Sequence, residues 1–545
     1  MKVVIIGGVA GGATAAARIR RLDERAEIVM LERTGYVSYA NCGLPYYVGG
    51  AIGEEDALTL QTPQSFYARY RVDVRVGHEA ILIDRAQKCV RVRDLAAGRT
   101  YEEHYDKLLL SPGAKPVVPA AAQTDDARVF TLRTVEDTLA LHDFVVGQRP
   151  ASAVVVGGGF IGLETAENLA ERGMRVTLLQ RGDHVLAPLD RDMACFLHAE
   201  LVRQGIDLRL NTPFEGLKTD GELAVLTKDG AIGADLAVIA LGVAPDTALA
   251  REAGLELGMK GSIVTDAHMR TSDPDIYAAG DAVEVRHFVT GEKTLIALAG
   301  PANKQGRIAA DNICGVGSEY RGSQGSSVIK VFSLTAANTG LNEKAARAAG
   351  LDYEKVILSP ADHATYYPGA RLMTMKVLFE RGSRRILGAQ IVGGQGVDKR
   401  IDVLATAIRA GVKADELKDL DLAYAPPYSS AKDPVNMAGY MIDNILSGRV
   451  KQFFYEDIAS LRSQDVVLLD TRTRGEYARG HAEGFVNLPL DDLRGQLSSL
   501  PAGKKIYVMC QSGLRSYLAC RILTQNGFDC YNFAGGYRYY AAVHG

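Results

Sequence analysis

A chain of 545 residues is too long for one hydrophobic core, and length alone points to about three or four domains. Its 47% hydrophobic and 23% charged residues, with a net charge of −3, describe an ordinary globular protein and give no electrostatic reason to expect nucleic acid or a membrane surface as partner. Seven widely spaced cysteines make no disulfide framework, no CxxC pair or Cys/His cluster has zinc spacing, and no apolar stretch reaches the length of a membrane span, so a cytoplasmic protein without a structural metal is expected.

The opening Met1-Lys2-Val3-Val4-Ile5-Ile6-Gly7-Gly8 is a short apolar run broken by glycine. It predicts a buried strand, Val3 to Ile6, entering a phosphate loop rather than a signal peptide. A helix over Thr14 to Leu22 and a strand over Glu27 to Leu31 complete a βαβ beginning, and Ser38-Tyr39-Ala40-Asn41-Cys42-Gly43 follows it, where a thiol can face an isoalloxazine ring. The pattern returns as strand Val154 to Val156, turn Gly157-Gly158-Gly159, helix Ile161 to Arg172 and strand Arg175 to Leu179. Two such units imply two dinucleotides.

From about Ser326 the texture becomes β-rich, with Val328 to Phe332, Leu372 to Phe379 and Ile386 to Val392 as strands and Asp398 to Arg409 as a helix. Residues 320–445 read as a separate α+β domain and 446–455 as a short polar link. In the last ninety or so residues, strands Val466 to Leu469 and Ile506 to Met509 are expected, the second feeding Cys510-Gln511-Ser512-Gly513-Leu514-Arg515-Ser516. A thiolate at Cys510 would meet free amides, a helix N-terminus and an arginine, all of which favour the ionised sulfur. Cys89, Cys195, Cys314, Cys520 and Cys530 read as small buried hydrophobes.

The first glycine loop has Gly7, Gly8, Gly11 and Gly12, with Val9 where the middle glycine of G-x-G-x-x-G would stand, and Glu32 closes the next strand twenty residues after Gly12. Helix N-terminal amides suit a pyrophosphate and a carboxylate at that spacing suits ribose hydroxyls. Far downstream, Thr271-Ser272-Asp273-Pro274-Asp275-Ile276-Tyr277-Ala278-Ala279-Gly280-Asp281 resembles the second flavin fingerprint of two-dinucleotide flavoproteins, which implies FAD with Asp281 on the ribityl chain. The second loop, Gly157, Gly159 and Gly162 with Glu164 just inside the helix, is a complete frame for NADH or NADPH. Its second strand ends at Gln180-Arg181 instead of an acid, which leaves a 2′-phosphate permitted.

The order FAD unit, Ser-x-x-Asn-Cys-Gly, nicotinamide unit, flavin aspartate and interface domain resembles the single-cysteine pyridine nucleotide-disulfide oxidoreductases over residues 1 to about 445. Coenzyme A-disulfide reductases, NADH oxidases and NADH peroxidases share that order. Ala10 stands where peroxidases and many oxidases carry a histidine, and Gly7-Gly8-Val9-Ala10-Gly11-Gly12 matches the loop of the coenzyme A enzymes. The resemblance implies a homodimer and coenzyme A as bound substrate. It places Gly7, Gly8, Ala10, Gly11, Gly12, Glu32, Arg33, Asn41, Ser111, Pro112, Gly113, Gly280 and Asp281 around FAD, and Gly157, Gly159, Gly162, Glu164, Gln180 and Gly242 around the nicotinamide coenzyme. Thr14, Arg18, Arg21, Ser38 and Asn41 would line the coenzyme A channel, with Asn303, Lys304, Arg307 and Lys432 reaching it across the subunit boundary. Ala364-Thr365-Tyr366-Tyr367-Pro368-Gly369 and Tyr424-Ala425-Pro426-Pro427-Tyr428 resemble the two tyrosine loops that face the cysteine from the partner subunit. Tyr366 and Tyr424 are favoured for the chemistry, while Tyr367 and Tyr428 are as well explained as structural hydroxyls.

The last segment resembles a rhodanese domain: Leu469-Asp470-Thr471-Arg472 with Glu476, Gly480-His481 with Gly484, Asn487 and Pro489, then Cys510, Gly513 and Arg515, then Gly535-Gly536. A loop whose amides converge on sulfur suits a persulfide, and His481 reads as structural. The expected architecture is α/β: two Rossmann-like dinucleotide-binding domains (FAD, residues 1–112 and 250–319; NAD(P)H, 113–249), an α+β dimerisation domain (320–445), the link 446–455, and a C-terminal α/β rhodanese domain (456–545). The expected function is NAD(P)H-driven, FAD-dependent reduction of coenzyme A disulfide, coenzyme A persulfide or polysulfide through Cys42, with Cys510 carrying sulfane sulfur. Oxygen reduction, or a sulfur carrier or sensor role, are the alternatives.

Overall fold

The structure, a computed structural model, describes residues 1–544. The chain forms two compact units, one of residues 1–185 with 205–325 and the other of residues 186–204 with 326 onward.

In the first unit, strand Lys2–Ile6 lies in the middle of a five-stranded parallel sheet ordered Ile276–Ala278, Lys107–Leu110, Lys2–Ile6, Glu27–Glu32, Val72–Val76. Val3, Val4 and Ile5 are fully buried, because a parallel strand covered on both faces needs apolar residues without alternation. The helix that follows starts at Ala10, four residues before the sequence pattern placed it, so Gly11 and Gly12 form its first turn. That helix and Ala299–Ile313 approach backbone to backbone: a Cβ on Gly306 would fall 2.2 Å from Gly11 O. The second sheet is ordered Asp207–Arg209, Arg175–Leu179, Ser152–Val156, Leu236–Ile239, Val129–Phe130, again all parallel.

In the second unit, a five-stranded antiparallel sheet is ordered Ser327–Val331, Leu334–Gly340, Ile386–Gly393, Thr374–Glu380, Tyr353–Leu358. Helix Val397–Ala410 packs its Val397, Ile401, Leu404 and Ile408 stripe inward. Helix Arg191–Arg203 groups with this unit although it falls within residues 113–249. A parallel sheet completes the unit, ordered Lys451–Phe453, Cys530–Phe533, Ile506–Met509, Val467–Asp470, Val486–Asn487. Residues 446–455 are therefore not a plain link: Lys451–Phe453 is the edge strand of that sheet, pairing Phe453 with Phe533.

Lys376, fully buried, lies at the centre of this unit. Its ammonium is 3.1 Å from Asp190, 2.5 Å from Asp192 and 2.8 Å from Glu343. These carboxylates have the mutual spacing of a cation site, and the ammonium fills it. Burial pushes Glu343 upward, yet Lys376 and Lys355 hold it at about 2. Tyr539 of the last helix donates to Asp192, so the cluster also ties the C-terminal sheet to the antiparallel one.

Candidate active site

The first glycine loop is shaped by backbone crowding. Gly7 has φ 96°, and a Cβ there would sit 2.0 Å from Ser111 O; one on Gly12 would sit 1.9 Å from Gly7 O. Val9 precedes the helix with no side-chain cap, leaving its first amides open to an anion. Glu32 accepts from Gly8 N and from Thr34 N, each at 2.9 Å, which orients the carboxylate and leaves lone pairs for hydroxyl donors. Asp281 is pushed upward by burial, opposed by Arg133 at 3.5 Å, and Gly280 N is held by Gln305 at 2.7 Å. An uncapped helix start, an oriented acid and a part-buried aspartate with one distant partner fit FAD. Arg33 is half-exposed and pairs with Asp246 at 2.9 Å. Gly113, at φ 71°, follows Ser111 and Pro112 out of the crowded crossover.

The nicotinamide loop repeats the device. Gly157 has φ 115°, a Cβ on Gly162 would lie 1.8 Å from Gly157 O, and Gly159 caps helix Phe160–Glu171 with open space where a side chain would go. Gly158 N donates to Gln180 Oε1 at 3.1 Å, so an amide holds the place that Glu32 holds beside the first glycine loop. Gly242, at φ 100°, also faces open space. These features fit a nicotinamide dinucleotide.

Cys42 lies in a short 3₁₀ turn, Asn41–Gly43, that runs straight into helix Leu44–Gly49. Ser38, just upstream, is held at φ 50° by Ser38 N on Gly8 O at 2.8 Å, a strained conformation that ties the cysteine loop to the phosphate loop. Cys42 is exposed as a residue. Its pKa is raised, first by desolvation and then by the Glu164 and Asp281 charges, with Arg133 opposing. Tyr46, one helical turn on, donates to Glu164 at 3.3 Å. Burial lifts Glu164 to about 7, a rise that the Tyr46 hydrogen bond restrains and Glu167 adds to. Tyr46 and Arg133 carry no motif, which is why sequence reading passed over them.

Thr14, Arg18 and Arg21 share one helix face at i, i+4 and i+7. Asn303 is not across a subunit boundary from them: Thr14 Oγ1 donates to Asn303 Oδ1 at 2.5 Å within one chain, because the two helices meet at glycines. Arg18 Nε is engaged by Asp311 at 2.7 Å, so only the rest of its guanidinium is open, while Arg21, Lys304 and Arg307 are exposed. Lys432 stands exposed in the second unit, just ahead of helix Pro434–Leu446.

Tyr366 and Tyr424, fifty-eight residues apart, share a phenol–phenol hydrogen bond of 2.5 Å. The bond to Tyr366 raises the Tyr424 pKa. Tyr367 packs edge-on against His363, a structural role, and Tyr428 is largely exposed.

Cys510 is fully buried at the end of strand Ile506–Met509. Its sulfur accepts from Gly513 N at 3.1 Å and Ser516 Oγ at 3.2 Å. Gly513, at φ 98°, turns its amide inward and starts helix Leu514–Gln525. Gly536 packs on the loop so closely that a Cβ would lie 2.6 Å from Ser512 N, and Tyr537 N donates to Cys510 O at 2.7 Å. Arg515 donates two hydrogen bonds to Glu476, 2.7 Å to each carboxylate oxygen, and that pairing holds Glu476 at about 2. His481 stacks on Tyr477 at 3.9 Å, a structural role.

Residues 1–306 match the family model for pyridine nucleotide-disulphide oxidoreductases, residues 326–434 the dimerisation domain of the same family, and residues 456–542 the rhodanese-like domain. The chain belongs to the pyridine nucleotide-disulphide oxidoreductase family and is a flavin-dependent enzyme of that family with a rhodanese domain appended. Among its relatives, a coenzyme A disulfide reductase of Staphylococcus epidermidis is 35% identical over 440 residues, 81% of this chain and 99% of that protein. The reduced Bacillus anthracis CoADR-RHD structure superposes with a TM-score of 0.96 at 45% identity, over 99% of this chain and 98% of that one. An NAD-dependent persulfide reductase from A. fulgidus superposes with a TM-score of 0.93 at 40% identity, over 99% of this chain and all of that one. A water-forming NADH oxidase from Lactobacillus brevis is more distant, at 27% identity, a TM-score of 0.78 and 82% of this chain.

Proposed function

We propose that this chain reduces sulfur–sulfur bonds of coenzyme A persulfide, coenzyme A disulfide or polysulfide at Cys42, and that Cys510 carries the sulfane sulfur. The observation that carries this reading is one chain holding two unlike cysteines: an exposed one beside the two dinucleotide loops, and a buried one whose sulfur accepts two hydrogen bonds. The second environment suits a persulfide anion, which needs donors around it.

The Cys42 thiolate attacks the inner sulfur of a coenzyme A persulfide, forming a Cys42–coenzyme A disulfide and releasing hydrosulfide. Two electrons and a proton then restore the Cys42 thiolate and the coenzyme A thiol; bound flavin supplies the route by which NAD(P)H delivers them. Tyr366 and Tyr424 form one hydroxyl pair able to give a proton to a leaving thiolate and share the deficit. In a homodimer the pair of one protomer serves Cys42 of the other. Glu164, mostly neutral below about 7, relieves the thiolate of one adjacent negative charge. Thr14, Arg18, Arg21 and Ser38, with Asn303, Lys304 and Arg307, offer donors and positive charge for the nucleotide end of coenzyme A, with Lys432 a further cation. Free thiols at all seven cysteines suit a reducing cytoplasm.

The test is NAD(P)H consumption with coenzyme A persulfide or polysulfide, compared with air-saturated buffer. Turnover at least about tenfold faster with the sulfur substrates is expected. An oxygen-driven rate equal to the sulfur-driven one would overturn the reading.

A further inference from the structure

Arg400 belongs to no motif, yet its side chain is among the largest fully buried in the protein. It projects from helix Val397–Ala410 into the gap between the two tyrosine-bearing loops. Nη2 lies 2.9 Å from Asp362 O, at the root of the loop that carries Tyr366. The same nitrogen lies 3.4 Å from Tyr428 O and 3.1 Å from Ser429 Oγ, at the end of the loop that carries Tyr424. Its charge is matched by Asp433, at 3.0 and 3.2 Å. Asp433 in turn accepts from Ser429 Oγ at 2.7 Å and from Val435 N at 2.9 Å.

The loops have a second direct link at this point, Ala364 N to Ser429 O at 3.0 Å. Nη1 donates to Gly396 O at 3.1 Å, and Gly396, at φ 65°, is a position where a Cβ would lie 2.1 Å from Nη1. The guanidinium is thus seated in a slot that admits no side chain above it. A buried guanidinium needs several acceptors at fixed angles, and here the acceptors belong to both loops.

We infer that Arg400 is the positioning residue of the Tyr366–Tyr424 pair: it clamps both loops so that the two hydroxyls meet. The inference rests on the role given to these tyrosines above. It assigns Arg400 no contact with substrate. A planar fork is required, because an ammonium on a lysine stem can neutralise Asp433 but cannot span Asp362 O, Tyr428 O and Gly396 O together.

The experiment uses the FAD-loaded full-length enzyme and compares parent, Arg400→Lys, Tyr366→Phe and the double variant. Two rates are read: flavin reduction by NADH in rapid mixing, and steady-state kcat with coenzyme A disulfide. Arg400→Lys should keep the first within about twofold and lower kcat at least about tenfold, with KM little changed. The double variant should be no more than about twofold slower than Tyr366→Phe, because both changes remove the same hydroxyl pairing. Multiplicative losses, or a parental kcat in Arg400→Lys beside a slow Tyr366→Phe, would overturn the inference alone. A parental rate in Tyr366→Phe would overturn the role of the tyrosines and the inference with it. If Arg400→Lys yields no folded protein, Ser429→Ala takes its place; it should lower kcat about threefold or more with the same non-additivity, and an unchanged kcat overturns the clamp.

Discussion

Gln180 Oε1 accepts the amide proton of Gly158 at 3.1 Å, as Glu32 Oε2 accepts that of Gly8 at 2.9 Å. The two glycine loops use one device, with a charged acceptor in the first and a neutral one in the second. A neutral amide does not repel a 2′-phosphate, so both NADH and NADPH should be turned over, with kcat/KM values within about a thousandfold, roughly 4 kcal/mol. Gln180→Glu should move the preference toward NADH by at least about tenfold. An unchanged ratio would show that discrimination lies elsewhere.

Cys42→Ser should retain FAD and its reduction by NAD(P)H, because the glycine loops, Glu32 and Asp281 are untouched. Coenzyme A disulfide and persulfide reduction should drop by at least about a thousandfold, since a serine hydroxyl forms no mixed disulfide. Parental turnover of coenzyme A disulfide by this variant would remove Cys42 from the chemistry.

Cys510→Ala should leave the reduction of small disulfides near the parental rate while sulfur transfer from persulfide or polysulfide donors falls about a hundredfold. Sulfur transfer at full rate would make the buried cysteine a bystander. Arg515→Ala is expected to act in the same direction more weakly, by leaving Glu476 unpaired beside the loop.

Glu164 links stability to pH. Its pKa is raised from 4.5 unfolded to about 7 folded, so between those values the folded state binds more protons. Its contribution is fully present below about 4.5 and is lost as pH rises through about 7. Glu164→Gln should therefore flatten the pH dependence and gain on the order of 1–3 kcal/mol over the parent at pH 8 relative to pH 4.5. Urea unfolding at several pH values measures this; parallel curves for parent and variant would refute the shift.

Lys376→Met leaves Asp190 and Asp192 without their shared ammonium and Glu343 with Lys355 alone, at 3.1 Å. Breaking a buried ion network in this way costs about 3–5 kcal/mol. Circular dichroism should show the unfolding midpoint of the second unit falling by several degrees, and an unchanged midpoint would mean that the carboxylates relax or take up protons at little cost.

Both βαβ units, the two dinucleotides, the cysteine loop and the rhodanese-like end were legible in the sequence because each rests on local patterns: glycines where a backbone crosses another, apolar runs where a parallel strand is covered twice, and a cysteine joined directly to a helix start. The family resemblance singled out Tyr366 and Tyr424 as candidates, but their shared hydrogen bond spans fifty-eight residues and exists only because the loops fold together. Partners at such separations leave no spacing to read. That is why Glu164 under Tyr46, Glu476 on Arg515 and Asn303 against Thr14 belong to the tertiary structure.

Arg400 did leave a trace. It stands three residues after Val397 and four before Leu404, on the apolar stripe of its helix, where a charge needs a buried partner. Periodicity could mark it as anomalous, but only the fold decided that the partner would be Asp433 and that the same guanidinium would reach both tyrosine loops. The linker shows the converse limit. Residues 446–455 read as a polar connection, yet Lys451–Phe453 becomes an edge strand because Cys530–Phe533 offers it a free backbone edge, and a hydrogen-bonding partner eighty residues away outweighs local composition.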